Sequence, residues 1–280
     1  MHLLMILTAL SLAWLVRCGY SKPTGNWAQR WQQTLLLFLF PPLILVMTAI
    51  AVLSMGPQGQ MIGLHTDWNS YYLVVGCVCL AIGFGLKLAA QGWQSLHQIR
   101  TYPQIELDGK PARLLDSPTL FSARIGFWQP ELVVSRGLLE TLQPEHLQAV
   151  LTHEQAHSYY RDTFWFFWLG WLRRITAWLP HTNALWQELL VLRELRADRW
   201  AAERVDSLLL AESLLMVVSE PMMASESFSA AFSRAAQQNR LHERIEALLG
   251  EPEPATPSNS WTWYWVVLAL LPLVAVPFHN

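Results

Sequence analysis

The sequence predicts a membrane protein in which four transmembrane helices carry one cytoplasmic α+β domain. Three observations predict it: the uneven placement of charge, the length of the uncharged runs, and the positions of tryptophan. Only 14% of the 280 residues are charged, mean hydropathy is +0.23 and formal net charge is −2, whereas a soluble domain carries about 25% charged residues. The first 99 residues hold five charges, Arg17, Lys22, Arg30, Asp67 and Lys87, and residues 256–280 hold none. The other 15 basic and 20 acidic residues fall within 100–255. That pattern excludes a disordered chain and a basic nucleic-acid binder, so no nucleic acid is expected as a partner. Cys18, Cys77 and Cys79 all precede the charged block, which leaves it without a disulfide framework or a Cys-based zinc site.

Crossing a bilayer takes roughly 20 apolar helical residues. Residues 34–55 meet this, with Pro41-Pro42 as an expected kink, and so do residues 71–90, where Lys87 can snorkel. Residues 261–278 are short but uncharged, and residues 1–16 are marginal in length. The first run lacks a positive n-region and a small-residue cleavage site, and its charges follow it, so it reads as a retained helix rather than a signal peptide. The loop 17–33 carries three basic and no acidic residues and is expected in the cytoplasm; the loop 56–70 carries no Lys or Arg and is expected outside. Trp27, Trp31, Trp93, Trp261, Trp263 and Trp265 then fall at cytoplasmic ends, where indole favours the headgroup region. The expected organisation is three helices in 1–95, a cytoplasmic domain in 96–255, and a linker with a fourth helix in 256–280. Both termini are expected outside a cell membrane, and the lipid bilayer is an expected partner.

The polar domain opens with strand-like pieces at 105–107, 113–115, 121–127 and 132–134, the first followed by the hairpin dipeptide Asp108-Gly109. Pro144 with Glu145 marks a helix start, followed by an apolar stripe at Leu147, Val150 and Leu151. On that helix lies His153-Glu154-Gln155-Ala156-His157. Histidines at i and i+4 share a helix face and can converge on one zinc ion, leaving Glu154 positioned to reach the attacking water.

A catalytic zinc takes three protein ligands and keeps one position open. Tyr160 and Thr163 occupy the places a third histidine motif would need, which excludes that arrangement. Residues 184–206 read as a helix that puts Glu194 and Asp198 on one face. Glu194 can supply the third ligand, with Glu188 as the weaker alternative. Asp198 can accept a hydrogen bond from a ligand imidazole and set its tautomer. Arg193, Arg196 and Arg199 alternate with these acids, so an ordinary ion-paired helix is the competing account.

Together, residues 121–135, Gly137-Leu138-Leu139, 145–162, 193–198 and 243–249 resemble the BlaR/MecR-type membrane metallopeptidases, a gluzincin family related to the HtpX and prenyl-protein (CAAX) endopeptidases. The resemblance implies a cytoplasmic α+β gluzincin metallopeptidase domain with three helices before it and one after. It also implies that His153, His157 and Glu194 bind Zn2+ and that Glu154 is the catalytic acid/base. Where the family often has Cys before the motif aspartate this chain has Ala197, and no ligand is lost. The best-known members add an extracellular antibiotic-sensing domain after the last helix. The resemblance here reaches the peptidase and not that sensor.

The expected activity is zinc-dependent endopeptidase cleavage of a protein or peptide substrate at the cytoplasmic membrane face, in signalling or regulator cleavage. The alternative is a non-catalytic membrane receptor or adaptor with a structural metal site. Tyr160, His181 and His242 are candidates for a second oxyanion donor, and the strands at 121–134 resemble those whose edge binds substrate. Residues 163–179 are apolar and Trp-rich, but Arg173 and Arg174 make a fifth span costly. They are expected to lie at the interface, with Trp165, Trp168, Trp171 and Trp178 at the headgroup plane, or to be buried as a core helix.

Overall fold

Uncharged apolar runs fold as helices because a helix satisfies its own backbone polar groups, and three such helices open the chain: α1 (His2–Cys18), α2 (Trp27–Met55) and α3 (Trp68–Arg100). The computed structural model describes residues 1–21, 24–58, 60–61, 64–65, 68–219, 240–250 and 264–278. A two-stranded antiparallel pair, β1 (Gln60–Met61) and β2 (Leu64–His65), lies between α2 and α3. Asn26 caps α2 by accepting from the Gln29 amide at 3.0 Å, and the helix runs through Pro41-Pro42 without a break.

The chain divides into two compact units. One comprises Met1–Leu88, Leu169–Leu190 and Glu253–Asn280; the other comprises Ala89–Trp168 and Val191–Pro252. In the first unit, the fully buried Ala13 packs with Ile44 and Leu179, small enough to let neighbouring segments approach closely. Arg17 is fully buried there. It donates to the Phe38 and Pro180 carbonyls and to the Thr182 hydroxyl, with its guanidinium 5.6 Å from the Phe38 ring centroid.

Two described helices, α2 and α3, are long and apolar enough to cross a bilayer. The apolar window of α3 is only 6% buried within the protein, against 39% for α2. The other two expected spans are described as shorter helices. α1 stops at 17 residues, and residues 264–278 break into α10 (Tyr264–Ala269), α11 (Leu271–Val274) and a terminal 3-10 turn, Val276–Phe278. Pro272 and Pro277 remove backbone donors from that stretch. The expected linker 251–260 and residues 261–263 lie outside the described residues.

The second unit is built on a four-stranded sheet of order β3-β4-β6-β5, with β3 (Gln104–Leu107), β4 (Lys110–Leu115), β5 (Ser122–Ile125) and β6 (Glu131–Ser135). Asp108 and Gly109, with φ of 49° and 70°, turn β3 into β4. β4 pairs parallel to β6, and β5 pairs antiparallel to β6 and forms a sheet edge. The Ser135 hydroxyl then caps the short α4 (Arg136–Thr141) by accepting from the Leu138 amide.

Two apolar clusters fix α5 (Pro144–Tyr159). Val150 and Leu151 pack with Leu132, Val134 and Leu138 on the sheet side. Ala149 packs with Ala201 and with Leu210 and Leu214 of α8 (Ser207–Ser219). Leu241 and Leu248, on the helical stretch α9 over 240–249, join the second cluster. α6 (Asp162–Ile175) and α7 (Thr182–Ala202) complete the set. At 14 residues α6 is too short to cross a bilayer. Its Trp165 and Trp168 are exposed, as is Trp178 just after it.

Candidate metal centre

The helical spacing of His153 and His157 on α5 brings their Nε2 atoms to 3.1 Å, with the rings at 88° to one another. Glu194, on α7, extends Oε2 to 3.3 Å from His153 Nε2 and 3.7 Å from His157 Nε2. These three residues form a group whose ligand atoms can surround one ion. Tetrahedral ligands about 2.0–2.1 Å from zinc stand roughly 3.3–3.4 Å apart, so the triangle has the right size for that metal. Its two nitrogens and one carboxylate oxygen are also a donor set that suits it. Glu188, the alternative ligand, is engaged elsewhere: its Oε1 accepts from Arg30 at 2.6 and 2.8 Å in the first unit.

Behind each imidazole stands a carboxylate. His153 Nδ1 lies 2.9 Å from Asp198 Oδ1, and His157 Nδ1 lies 2.7 Å from Asp162 Oδ2. Both rings therefore turn Nε2 toward Glu194, the orientation second-sphere carboxylates impose on metal-binding histidines. Asp198 is where its spacing predicts. Asp162 has no comparable signal in the sequence: Arg161, at φ 53°, reverses the chain between α5 and α6 and swings it back against His157.

Every one of these acids is gripped by an arginine. Arg193 donates to Glu194 Oε1 at 2.6 and 2.9 Å, which leaves Oε2 for the histidines. Arg244, on α9, binds both oxygens of Asp198 at 2.7 and 2.8 Å, and its Nη1 lies 3.5 Å from Glu194 Oε2. Arg196 binds Asp162 Oδ1 and stacks over the Tyr160 ring at 4.1 Å. Arg193 and Arg196 were legible only as members of an ion-paired helix, and Arg244 only as part of a familiar segment. Their partners become visible when the helices meet.

Electrostatics follow from these contacts. Burial alone would raise the Glu194 carboxyl, but His153 and His157, then Arg193 and Arg244, outweigh it and hold the group well below the usual carboxylate range. Burial likewise opposes ionisation of Asp198, and Arg244 and His153 reverse the sign. Burial would lower the His153 pKa, yet Asp198 and Glu194 push it up to about 9. His157 is raised in the same way by Asp162 and Glu194.

Glu154 differs from the other acids. It is 8% exposed, and its carboxylate takes no hydrogen bond or ion pair among the described residues. Only its backbone is tied down, where Arg124 Nε of β5 donates to its carbonyl at 2.8 Å. Of the three expected oxyanion donors, Tyr160 is occupied under Arg196, and His242 is exposed and paired with Glu246 at 3.0 Å. His181 packs against Tyr20 in the first unit.

Residues 115–250 match the model of Peptidase family M48. The matched segment begins at the last residue of β4 and takes in His153, Glu154, His157, Glu194, Asp198 and Arg244. M48 peptidases are metal-dependent, and a His-His-Glu group able to hold a metal lies inside the matched range. Together they support a metallopeptidase. No curated protein matches the chain.

Proposed function

We propose that this protein is an integral-membrane zinc endopeptidase of the BlaR/MecR type. In this reading it cleaves a protein substrate at the cytoplasmic membrane face and takes part in signalling by cutting a regulator. One observation carries the catalytic part: beside three residues sized for zinc stands Glu154, a buried residue whose carboxylate makes no hydrogen bond or ion pair among the described residues. A metal site that serves only the fold does not need such a group.

His153, His157 and Glu194 hold the metal, and Asp162 and Asp198 orient the two rings. Zinc bound there supplies Lewis acidity, lowering the pKa of water toward about 7 and polarising the scissile carbonyl. Glu154 accepts the proton of the attacking water and passes it to the leaving amine. The β5 edge offers main-chain groups to an extended peptide laid alongside it, and the Arg124 bond holds that strand against the catalytic helix.

The membrane part rests on α2 and α3. A helix apolar on all sides is either a buried core helix or a membrane span, and α3 is 6% buried. The proposed arrangement has four spans, at about 1–16, 34–55, 71–90 and 261–278. The termini lie outside, the peptidase domain lies in the cytoplasm, and 163–179 lies along the interface.

The test compares wild-type and Glu154→Gln protein for zinc content and for fragments in the membrane and cytosolic proteomes. Equal, stoichiometric zinc is expected in both, with one fragment falling by at least about 100-fold in the variant. Cleavage by a metal-free preparation, or an unchanged fragment pattern, would return the centre to a purely structural role.

A further inference from the structure

A cavity of about 410 Å3 in the second unit draws on all four strands of the sheet. Its polar lining comes from Gln104 of β3, Lys110 and Arg113 of β4, Arg124 of β5, Gln129 of the following loop, and Glu131 of β6. Glu131, the acid in this lining, is already neutralised: its two oxygens accept from Arg100 at 2.7 Å and from Arg113 at 2.8 Å. Lys110 has no ion pair among the described residues, and Arg124 makes no salt bridge there, the acid that acts on it electrostatically being Glu154. Arg124 spends Nε on the Glu154 carbonyl, and its two terminal nitrogens have no partner among the described residues. The same is true of the Lys110 ammonium. Arg124 is half-buried, and with Nε spent on a carbonyl its terminal nitrogens still have hydrogen bonds to make. A guanidinium with both terminal nitrogens free presents the planar fork that fits a carboxylate.

The position of Arg124 indicates where that carboxylate comes from. It sits on β5, the sheet edge along which a substrate strand would lie, and is bonded to the residue that follows the ligand His153. We propose that the cavity is a specificity subsite that takes an Asp or Glu side chain of the substrate, bound by Arg124 and Lys110. This rests on the peptidase reading and narrows it to proteins with an acidic residue close to the cleaved bond. Binding uses no covalent step.

The experiment uses the full chain, zinc-loaded, in phosphatidylcholine nanodiscs. The probes are fluorescent ten-residue peptides in which a single Glu is walked through a neutral sequence, each paired with its Gln isostere. Binding is read on Glu154→Gln protein and cleavage on wild type. At one register the Glu peptide is expected to bind about tenfold tighter than its isostere, as a charge-assisted hydrogen bond confers. Arg124→Gln is expected to remove the preference. Lys110→Glu, on an exposed hairpin, is expected to turn it toward a Lys-containing peptide. Equal binding of Glu and Gln peptides at every register overturns the subsite, whether or not cleavage occurs. Loss of the preference in nanodiscs containing phosphatidylglycerol assigns the cavity to a lipid headgroup and also overturns it. Selective binding without cleavage by wild type leaves the subsite standing and removes the peptidase reading instead.

Discussion

Arg244 holds Asp198 at both carboxylate oxygens, at 2.7 and 2.8 Å, while Asp198 itself faces His153 Nδ1 at 2.9 Å. The Asp198 side chain is 2% exposed. Arg244→Ala leaves that buried carboxylate uncompensated, which costs about 3–5 kcal/mol. Thermal unfolding in detergent should show a lower Tm, and Arg244→Lys should recover part of the loss. An unchanged Tm for Arg244→Ala would mean that the pair is not formed.

Asp162 does for His157 what Asp198 does for His153, but from a helix start rather than a helix interior. Asp162→Ala frees the imidazole to turn, and metal affinity should fall about 10–100-fold. Competition with a zinc chelator reads this directly. An affinity within a factor of two or so of wild type would remove Asp162 from the metal site.

Metal binding should depend on pH with a definite sign. Metal needs His153 neutral, yet in the metal-free protein Asp198 and Glu194 overcome burial and raise its pKa to about 9. Apparent affinity should therefore rise about tenfold per pH unit from 7 toward 9, one proton leaving for each metal bound, and more steeply where His157 also loses a proton. Without metal, the same shift stabilises the fold fully below 6.5, the free-imidazole value, and that contribution is lost as pH rises through about 9. A flat affinity between pH 7 and 9 contradicts this account.

Gly137 permits a close crossing of backbone. A Cβ there would lie 1.9 Å from the Pro118 carbonyl oxygen and 2.4 Å from its carbon. Gly137→Ala must move main chain and should cost at least about 1–3 kcal/mol. Gly109→Ala is the comparison, since it meets nothing within 4 Å and bears only its φ of 70°, a penalty of about 1–2 kcal/mol. Denaturation midpoints should rank wild type, then Gly109→Ala, then Gly137→Ala.

Some of this was readable in the chain because it depends on neighbours. The four-residue spacing of His153 and His157 implies a shared helix face wherever the helix sits, and Asp108-Gly109 forms its hairpin from local φ preference alone. The apolar runs behind α2 and α3 were legible because hydropathy and length are local sums. The same reasoning reads 261–278 as a span, and its described residues 264–278 form α10, α11 and a 3-10 turn. It also left three unconnected guesses for an oxyanion donor.

What the sequence by itself determined, then, are the parts set by periodicity and composition: the metal helix, the acid-bearing helix and the apolar segments. Which arginine meets which acid was decided only when α5, α7 and α9 packed, because pairs such as Asp198 with Arg244 follow no repeat along the chain. The return of Asp162 to His157 depended on a single left-handed residue, Arg161. Packing also distinguished Glu154 from the other acids: each of them accepts a hydrogen bond from an arginine, whereas Arg124 and Arg244 act on the Glu154 carboxylate only through their charge.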